Sequence, residues 1–223
     1  MLIFLDAKTK QVVWFKFIKS EAVSQYQEGL KFLIDNDFKI LSVTIDGRKG
    51  IKELFLRCGL IVQICHFHQI QIVCRYLTNN PKLIPSIQLK TLVEDLTISN
   101  YISFNSRFNY YLEVNQEFLN EKTFNPVTKR YHYTHKRLRS AVKSIQSNLD
   151  YLFTYQSEIV NLNILLRLAV KPKSQIPNTT NHIDGGINPK IRELVRSHRG
   201  MRRDRRNKLL SVLLGSLGDK FSY

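Results

Sequence analysis

One carboxylate, Asp184, lies within Ile176-Pro177-Asn178-Thr179-Thr180-Asn181-His182-Ile183-Asp184-Gly185-Gly186-Ile187-Asn188-Pro189, and a run of cations follows from Lys190 to Lys208. A carboxylate can hold a divalent metal and a basic helix can hold phosphates, the pairing that phosphodiester chemistry requires. Two-metal chemistry needs further acids arriving from other segments, with the ions about 3.5–4 Å apart. Asp46 is the second candidate, because it closes the apolar run from Ile40 to Ile45. Sites of open α/β sheets gather at the carboxyl ends of such strands. Gly47 allows a tight exit there, although Asp-Gly is also a common turn pair. Cys65 and His68 mark the next strand-to-helix junction and so belong to the same edge. Their spacing is that of half a zinc site. A closed structural zinc needs four ligands, and His132 and His135 make a poor second pair. A helix start packed by Cys65, or a polar cluster lining a nucleic-acid site, fits better. Asp6 lies between two strand-like runs and reads as a turn residue.

Two basic stretches accompany these groups. Residues 122–149 hold Lys122, Lys129, Arg130, Lys136, Arg137, Arg139 and Lys143 and no Asp or Glu, and residues 130–140 interleave bases with aromatics. Cations satisfy phosphates and aromatic faces stack bases. In the second stretch Arg192, Arg196, Arg199 and Arg203 recur at spacings that place them on one face of a continuous helix, preceded by the capping residues Asn178 to Asn181. The expected DNA-binding residues are Lys136, Arg137, Arg139, Asn181, Arg192, Arg196, Arg199 and Arg203. A solvated basic helix face is the plainer reading of each stretch.

The elements that must position these residues are legible from pattern. Residues 2–5 and 11–18 read as a hairpin. Ser20 can cap a helix carrying Val23, Tyr26, Leu30 and Leu33. A buried strand over 40–45, a helix with Ile51, Leu54 and Phe55, a strand over 60–65 and a helix over 66–77 complete a β-β-α-β-α-β-α order. Such alternation indicates an α/β sheet layered by helices. Beyond Pro81 the signals are helical, over 87–95, 104–119, 138–153 and 159–170, and a helical segment then runs to about Leu217. The expected division is a core over 1–80, an all-helical insertion over 81–174 and a C-terminal helix with its acidic residue and basic face over 175–223.

Composition sets the bounds. The chain has 223 residues, 43% of them hydrophobic, and a formal net charge of +16. It is long enough for a sizeable core and too apolar to be disordered. Its charge favours a polyanionic partner, most often nucleic acid. Three cysteines give no disulfide framework, which suits a reducing cytoplasm or nucleoid. No run reaches the ~18 apolar residues of a membrane span.

Taken in order, Asp46-Gly47, Cys65-x-x-His68 with Arg75-Tyr76-Leu77-Thr78, Tyr133-Thr134-His135-Lys136-Arg137-Leu138-Arg139, and Pro177-Asn178-Thr179-Thr180-Asn181-x-x-Asp184-Gly185 resemble bacterial insertion-sequence transposases of the Mutator-like type. The resemblance covers residues 2–214. It implies a ribonuclease-H-like core, a mixed sheet with flanking helices, interrupted by an all-helical insertion. It also implies DNA transposition by an Asp-Asp-Glu (DDE) triad with magnesium, or manganese as substitute, in an enzyme that works on DNA as a dimer or higher assembly. Asp46 would be the second acid, holding metal, with Cys65 and His68 as active-site neighbours. Asp184 stands where the family has glutamate, one methylene longer. The first aspartate and its strand have no counterpart. The expectation is therefore the C-terminal part of a transposase, missing the first strand of its core and inactive alone. Two alternatives stand beside it: a non-catalytic nucleic-acid-binding module, and an intact magnesium-dependent nuclease using Asp6, Asp46 and Asp184.

Overall fold

A computed structural model describes residues 1–156 and 176–218. The helix expected over 159–170 falls outside them. The first two apolar runs form an antiparallel hairpin of β1 (Leu2–Leu5) and β2 (Val12–Lys16), with Phe4 opposite Trp14 and an irregularity between Phe4 and Leu5. The two rings sit 5.0 Å apart and press on helix α1 (Val23–Asp35) at Gly29. A Cβ at Gly29 would lie 2.8 Å from both rings, so only glycine lets the hairpin approach this closely. Ser20 does not cap α1: Ala22 takes the cap position, without a side-chain hydrogen bond.

The next four elements follow the pattern. β3 (Ser42–Ile45) and β4 (Ile61–Ile64) pair in parallel, joined by α2 (Lys49–Arg57), and α3 (His66–Leu77) leaves β4 directly. Ile45 is opposite Ile64, so Asp46 and Cys65 emerge side by side at one edge, as expected. The Cys65 N–H donates to Ile45 O at 2.8 Å.

The expected single mixed sheet is replaced, among the described residues, by three two-stranded ones: β1-β2, β3-β4 and a later hairpin. No described strand joins β1 to β3; a cleft of about 1100 Å³ separates them. The architecture is mixed α/β.

Helices α4 (Ile84–Glu94), α5 (Tyr101–Val114), α6 (Gln116–Asn120), α7 (Lys136–Gln146) and α8 (Leu149–Leu152) fill most of the next region. Pro85 is tolerated because it lies in the first turn of α4, where its missing N–H has no partner to lose. Asn100 caps α5 by accepting from Ser103 N at 2.8 Å. The helix expected over 104–119 is broken at Asn115 into α5 and α6.

The all-helical expectation fails at β5 (Lys122–Asn125) and β6 (Arg130–Tyr133), an antiparallel hairpin. Asn125 Oδ1 organises its turn by accepting from the N–H groups of Val127 and Thr128. Phe124, Tyr131 and Tyr133 supply the β propensity.

One hydrophobic core runs from Leu30 through Ile45, Phe55 and Ile64 to Val73, Leu89, Phe104, Ile145 and Leu152 without a break at residue 80. Side-chain amides bind its two halves together. Gln63 donates to Leu152 O and accepts from Tyr155 N, while Asn148 donates to Gln69 Oε1. All three are buried, and buried amides are stabilising only when bonded.

A wide helical turn, His182–Ile187, leads into α9 (Asn188–Ser197), and α10 (Arg203–Ser216) follows. Ile187 and Leu214 bury against Val12, and Val12 N donates to Leu217 O at 2.9 Å. The end of the described chain is thus fastened to the hairpin at its beginning.

At an open helical position glycine to alanine gains about 1 kcal/mol. Here Gly29→Ala is expected to lower stability instead, by about 1–2 kcal/mol, because Phe4 and Trp14 must move. Urea unfolding monitored by Trp14 fluorescence checks the sign.

Candidate active site

The site is built where β3 and β4 end. Residues 176–180 return to that edge and are tied to it by main-chain bonds. His66 N donates to Asn178 O at 2.9 Å, and Thr44 Oγ1 donates to Pro177 O at 2.8 Å. Ile176 is buried behind them. This anchoring aims the turn His182–Ile187 at the edge that carries Asp46.

Thr180 is the central residue, and the sequence had suggested only a helix cap. Its N–H lies 3.3 Å from Cys65 Sγ. Its hydroxyl lies 3.3 Å from His68 Nδ1 and 2.8 Å from Asp184 Oδ2. A hydroxyl has one proton to give. The shorter distance assigns that proton to the Asp184 carboxylate, leaving the oxygen to accept from His68. Asn188 Nδ2 donates to the other Asp184 oxygen at 3.3 Å, and His68 Nε2 stands 3.8 Å from Oδ2. Cys65 and His68 therefore do meet Asp184, through Thr180. Asn188, four residues beyond Asp184, was recognisable only by its helical spacing.

Electrostatics follow from this packing. Burial pushes the Cys65 thiol up, but hydrogen bonds from His68 and Thr180 outweigh it and hold the thiol below its usual range. His68 is raised, first by its hydrogen bond to Cys65; burial opposes this, and the charges of Cys65, Asp184 and Asp46 add to the rise. Its neighbour His66 behaves oppositely. Burial lowers it, partly offset by the bond to Leu152 O, and it packs against Phe153 and Tyr155. Of the two histidines in the motif, His66 belongs to the core and His68 to the site.

Asp46, Asp184 and His68 line the same cleft. Asp46 Oδ1 accepts from Arg48 N at 3.1 Å. Asp6 also borders the cleft, but its carboxylate is occupied by its own turn, accepting from the N–H of Lys8 at 2.9 Å and from Thr9 Oγ1 at 2.7 Å. Burial raises the Asp6 acid, and these bonds outweigh it and lower it. The turn reading of Asp6 fits this geometry. Magnesium is held by one or two carboxylates completed by water and substrate phosphates. Asp46 and Asp184 carry oxygen donors of the kind magnesium takes. Among the described residues no group of three His, Cys, Asp or Glu side chains is gathered to hold a metal by itself.

The basic residues divide into two kinds. Arg137 donates to Arg75 O at 2.9 Å. Arg139 donates to Leu119 O and Asn120 Oδ1, and its guanidinium stacks 3.5 Å over the Tyr133 ring. Both tie helices and hairpin together, because the last carbonyls of helices need donors. Lys136 and Asn181 are exposed. Arg192, Arg196 and Arg199 are exposed around one shallow depression with Glu193 and Ser197. The continuous helix face expected through Arg203 is interrupted. Gly200, at φ +89°, ends the run, and Arg203 opens the next helix.

No protein family, curated protein or solved structure matches the chain.

The His68 imidazole is expected to titrate above its ordinary value of about 6.5, and Cys65→Ala is expected to bring it down. NMR titration of the ring protons checks both. A raised folded value stabilises the fold fully below the unfolded pKa. The stability difference between the native chain and His68→Gln should therefore be largest below about pH 6.5 and shrink as pH rises through the folded value.

Proposed function

We propose that this chain binds DNA and belongs to the lineage of DDE transposases, magnesium-dependent enzymes of DNA strand cleavage and transfer, with Asp46 and Asp184 as its metal-holding acids. The observation that carries the reading is that these carboxylates, from distant parts of the sequence, border one cleft together with His68. The resemblance of the ordered motifs to those of Mutator-like transposases supports it, as does the β-β-α-β-α-β-α order of the first 77 residues.

Bound magnesium would polarise a phosphodiester and acidify a water or 3′-hydroxyl. The protein's own groups do the rest. Thr180 and Asn188 fix the Asp184 carboxylate in one orientation. His68, held toward its charged form, presents a proton at Nε2 beside that carboxylate. Arg192, Arg196 and Arg199 form the phosphate-facing surface, with Lys136 as a further exposed cation. The acids needed for a two-metal site are incomplete with Asp46 and Asp184 alone, so the chain by itself holds DNA without cutting it.

The engagement of Asp46 by Arg48 N, and of both Asp184 oxygens by neutral donors, favours a second reading, a nucleic-acid-binding module without metal chemistry.

Manganese binding in the presence of duplex DNA, followed by water-proton relaxation, separates the two. Asp46→Ala and Asp184→Ala should each weaken it at least tenfold while leaving DNA affinity intact. Absence of manganese binding to the native chain would leave only the module. Magnesium-dependent nicking by the native chain, abolished in Asp46→Ala, would instead support an intact nuclease.

Phosphate-dominated binding also predicts a salt dependence. Log affinity for duplex DNA should fall linearly with log salt, and replacing Arg192, Arg196 and Arg199 by alanine should flatten the slope by about one unit per residue. Fluorescence anisotropy between about 50 and 200 mM salt measures it.

A further inference from the structure

The β5-β6 hairpin stands outside the core, and none of its strand side chains is buried. Two-stranded hairpins are marginal in water, and contiguous exposed apolar surface marks a place of contact. Phe124 lies opposite Tyr131, and Lys122 opposite Tyr133. Directly opposed residues share a face, as do alternate residues along a strand, so these four stand on one side of the hairpin. Phe124 is 48% exposed and Tyr131 69%. Their rings lie 5.3 Å apart, tilted by 58°. Tyr133 is already engaged, with Arg139 3.5 Å and Lys122 5.2 Å from its ring centre. That contact pins the base of the hairpin. Among the described residues no cation lies over the other two rings.

Cations surround this aromatic pair. Lys122 shares its face, Lys129 and Arg130 stand at the turn, and Lys136 lies just beyond, all of them exposed. The acid that precedes the hairpin, Glu121, is taken up by His135 at 2.8 Å, and the next acid in the sequence is Asp150. Charge complementarity therefore selects the occupant. A second copy of a chain with a net charge of +16 is disfavoured by like charge. The chain's own residues 157–175 set Glu158 against Arg167, Lys171 and Lys173, and residues 219–223 set Asp219 against Lys220. Neither segment answers the cations of the hairpin. A polyanion does. An acidic protein surface would satisfy the cations alone, whereas unpaired bases also offer planar faces to the rings. In a duplex those faces are stacked on one another inside the helix.

We propose that the β5-β6 hairpin is a stacking platform for the unpaired bases of a DNA single strand, with Phe124 and Tyr131 meeting the bases and Lys122, Lys129 and Arg130 the phosphates. The inference rests on the DNA-binding reading and adds a second surface to it. The arginines of α9 meet phosphates whether or not the bases are paired. The hairpin meets only strands whose bases are free.

The test uses the full chain and a single strand of about twelve thymidines, within the usual span of such sites. Its control is an abasic strand of the same length and charge. Fluorescence anisotropy should show the thymidine strand bound at least about tenfold more tightly than the abasic one. Replacing both Phe124 and Tyr131 by alanine should remove that preference while leaving duplex affinity intact. Replacing Arg192, Arg196 and Arg199 by alanine should weaken both strands and keep the preference. A second measurement needs no variant: 5-iodouracil placed in the strand and irradiated should cross-link the native chain at Phe124 or Tyr131. Equal binding of the two strands, a preference that survives the double substitution, or cross-links confined to other residues would overturn the proposal. If the native chain binds duplex DNA yet shows no preference for bases, this inference alone fails. If it binds neither duplex nor single strand, the DNA-binding reading fails with it.

Discussion

The bonds that fasten residues 176–180 to the end of the β3-β4 pair are the constraint on which the rest of the site depends. A parallel pair exposes main-chain N–H groups where its strands end and a helix begins, and His66 N is one of these. It is satisfied by Asn178 O, a carbonyl from far along the chain. A buried N–H without a partner costs about 1–3 kcal/mol, so the returning segment is held by a need of the sheet itself. Once it is held, Thr180 falls against Cys65 and the next turn of chain carries Asp184 to the side of His68. The position of the acid follows from the bonding of the backbone.

Charge in the site is arranged in a similar economy. A buried thiol would normally stay protonated and a half-buried imidazole would normally lose its proton. Each reverses the other's tendency, and the carboxylates on the cleft reinforce the histidine. Elsewhere the cations are not all placed alike. Arg137 and Arg139 satisfy carbonyls and an aromatic face, whereas the arginines of α9 project from a helix whose side chains are nowhere fully buried. Net charge indicated a polyanion. It could not indicate which arginines were committed to holding the molecule together.

Much of this was readable in advance, and the exceptions have physical causes. Ile40 to Ile45 and Leu60 to Cys65 showed as strands because both are short, nearly continuous apolar runs, the pattern of parallel strands. That made the junction residues Asp46, Cys65 and His68 identifiable. The β5-β6 hairpin was not legible, because Phe124, Tyr131 and Tyr133 are all exposed and no buried face imposed an alternation. The break at Gly200 was overlooked because arginines on both sides kept helical spacing through it. Thr180 could be given no role beyond capping, since its partners Cys65, His68 and Asp184 come together only when distant segments pack. The separation of the strands into two-stranded sheets was equally invisible, since pattern shows which segments are strands and not which edges meet.

The bond from Val12 to Leu217, with Leu214 and Ile187 buried on Val12, joins the two ends of the described chain. Its consequence is temporal. Thr44 reaches a partner 133 positions away, and the terminal clasp spans still more. Closing so long a loop adds little to the equilibrium cost, since each doubling of length adds about 0.6 kcal/mol. Non-local closure does slow folding, because ordering must precede the contacts that reward it. During synthesis Asp46 leaves the ribosome with its strand and helix long before Thr180 exists. The hairpin must likewise wait for α10 before Val12 is covered. The edge that carries Asp46 and His68 is thus complete only once the segment from residue 176 onward has been made.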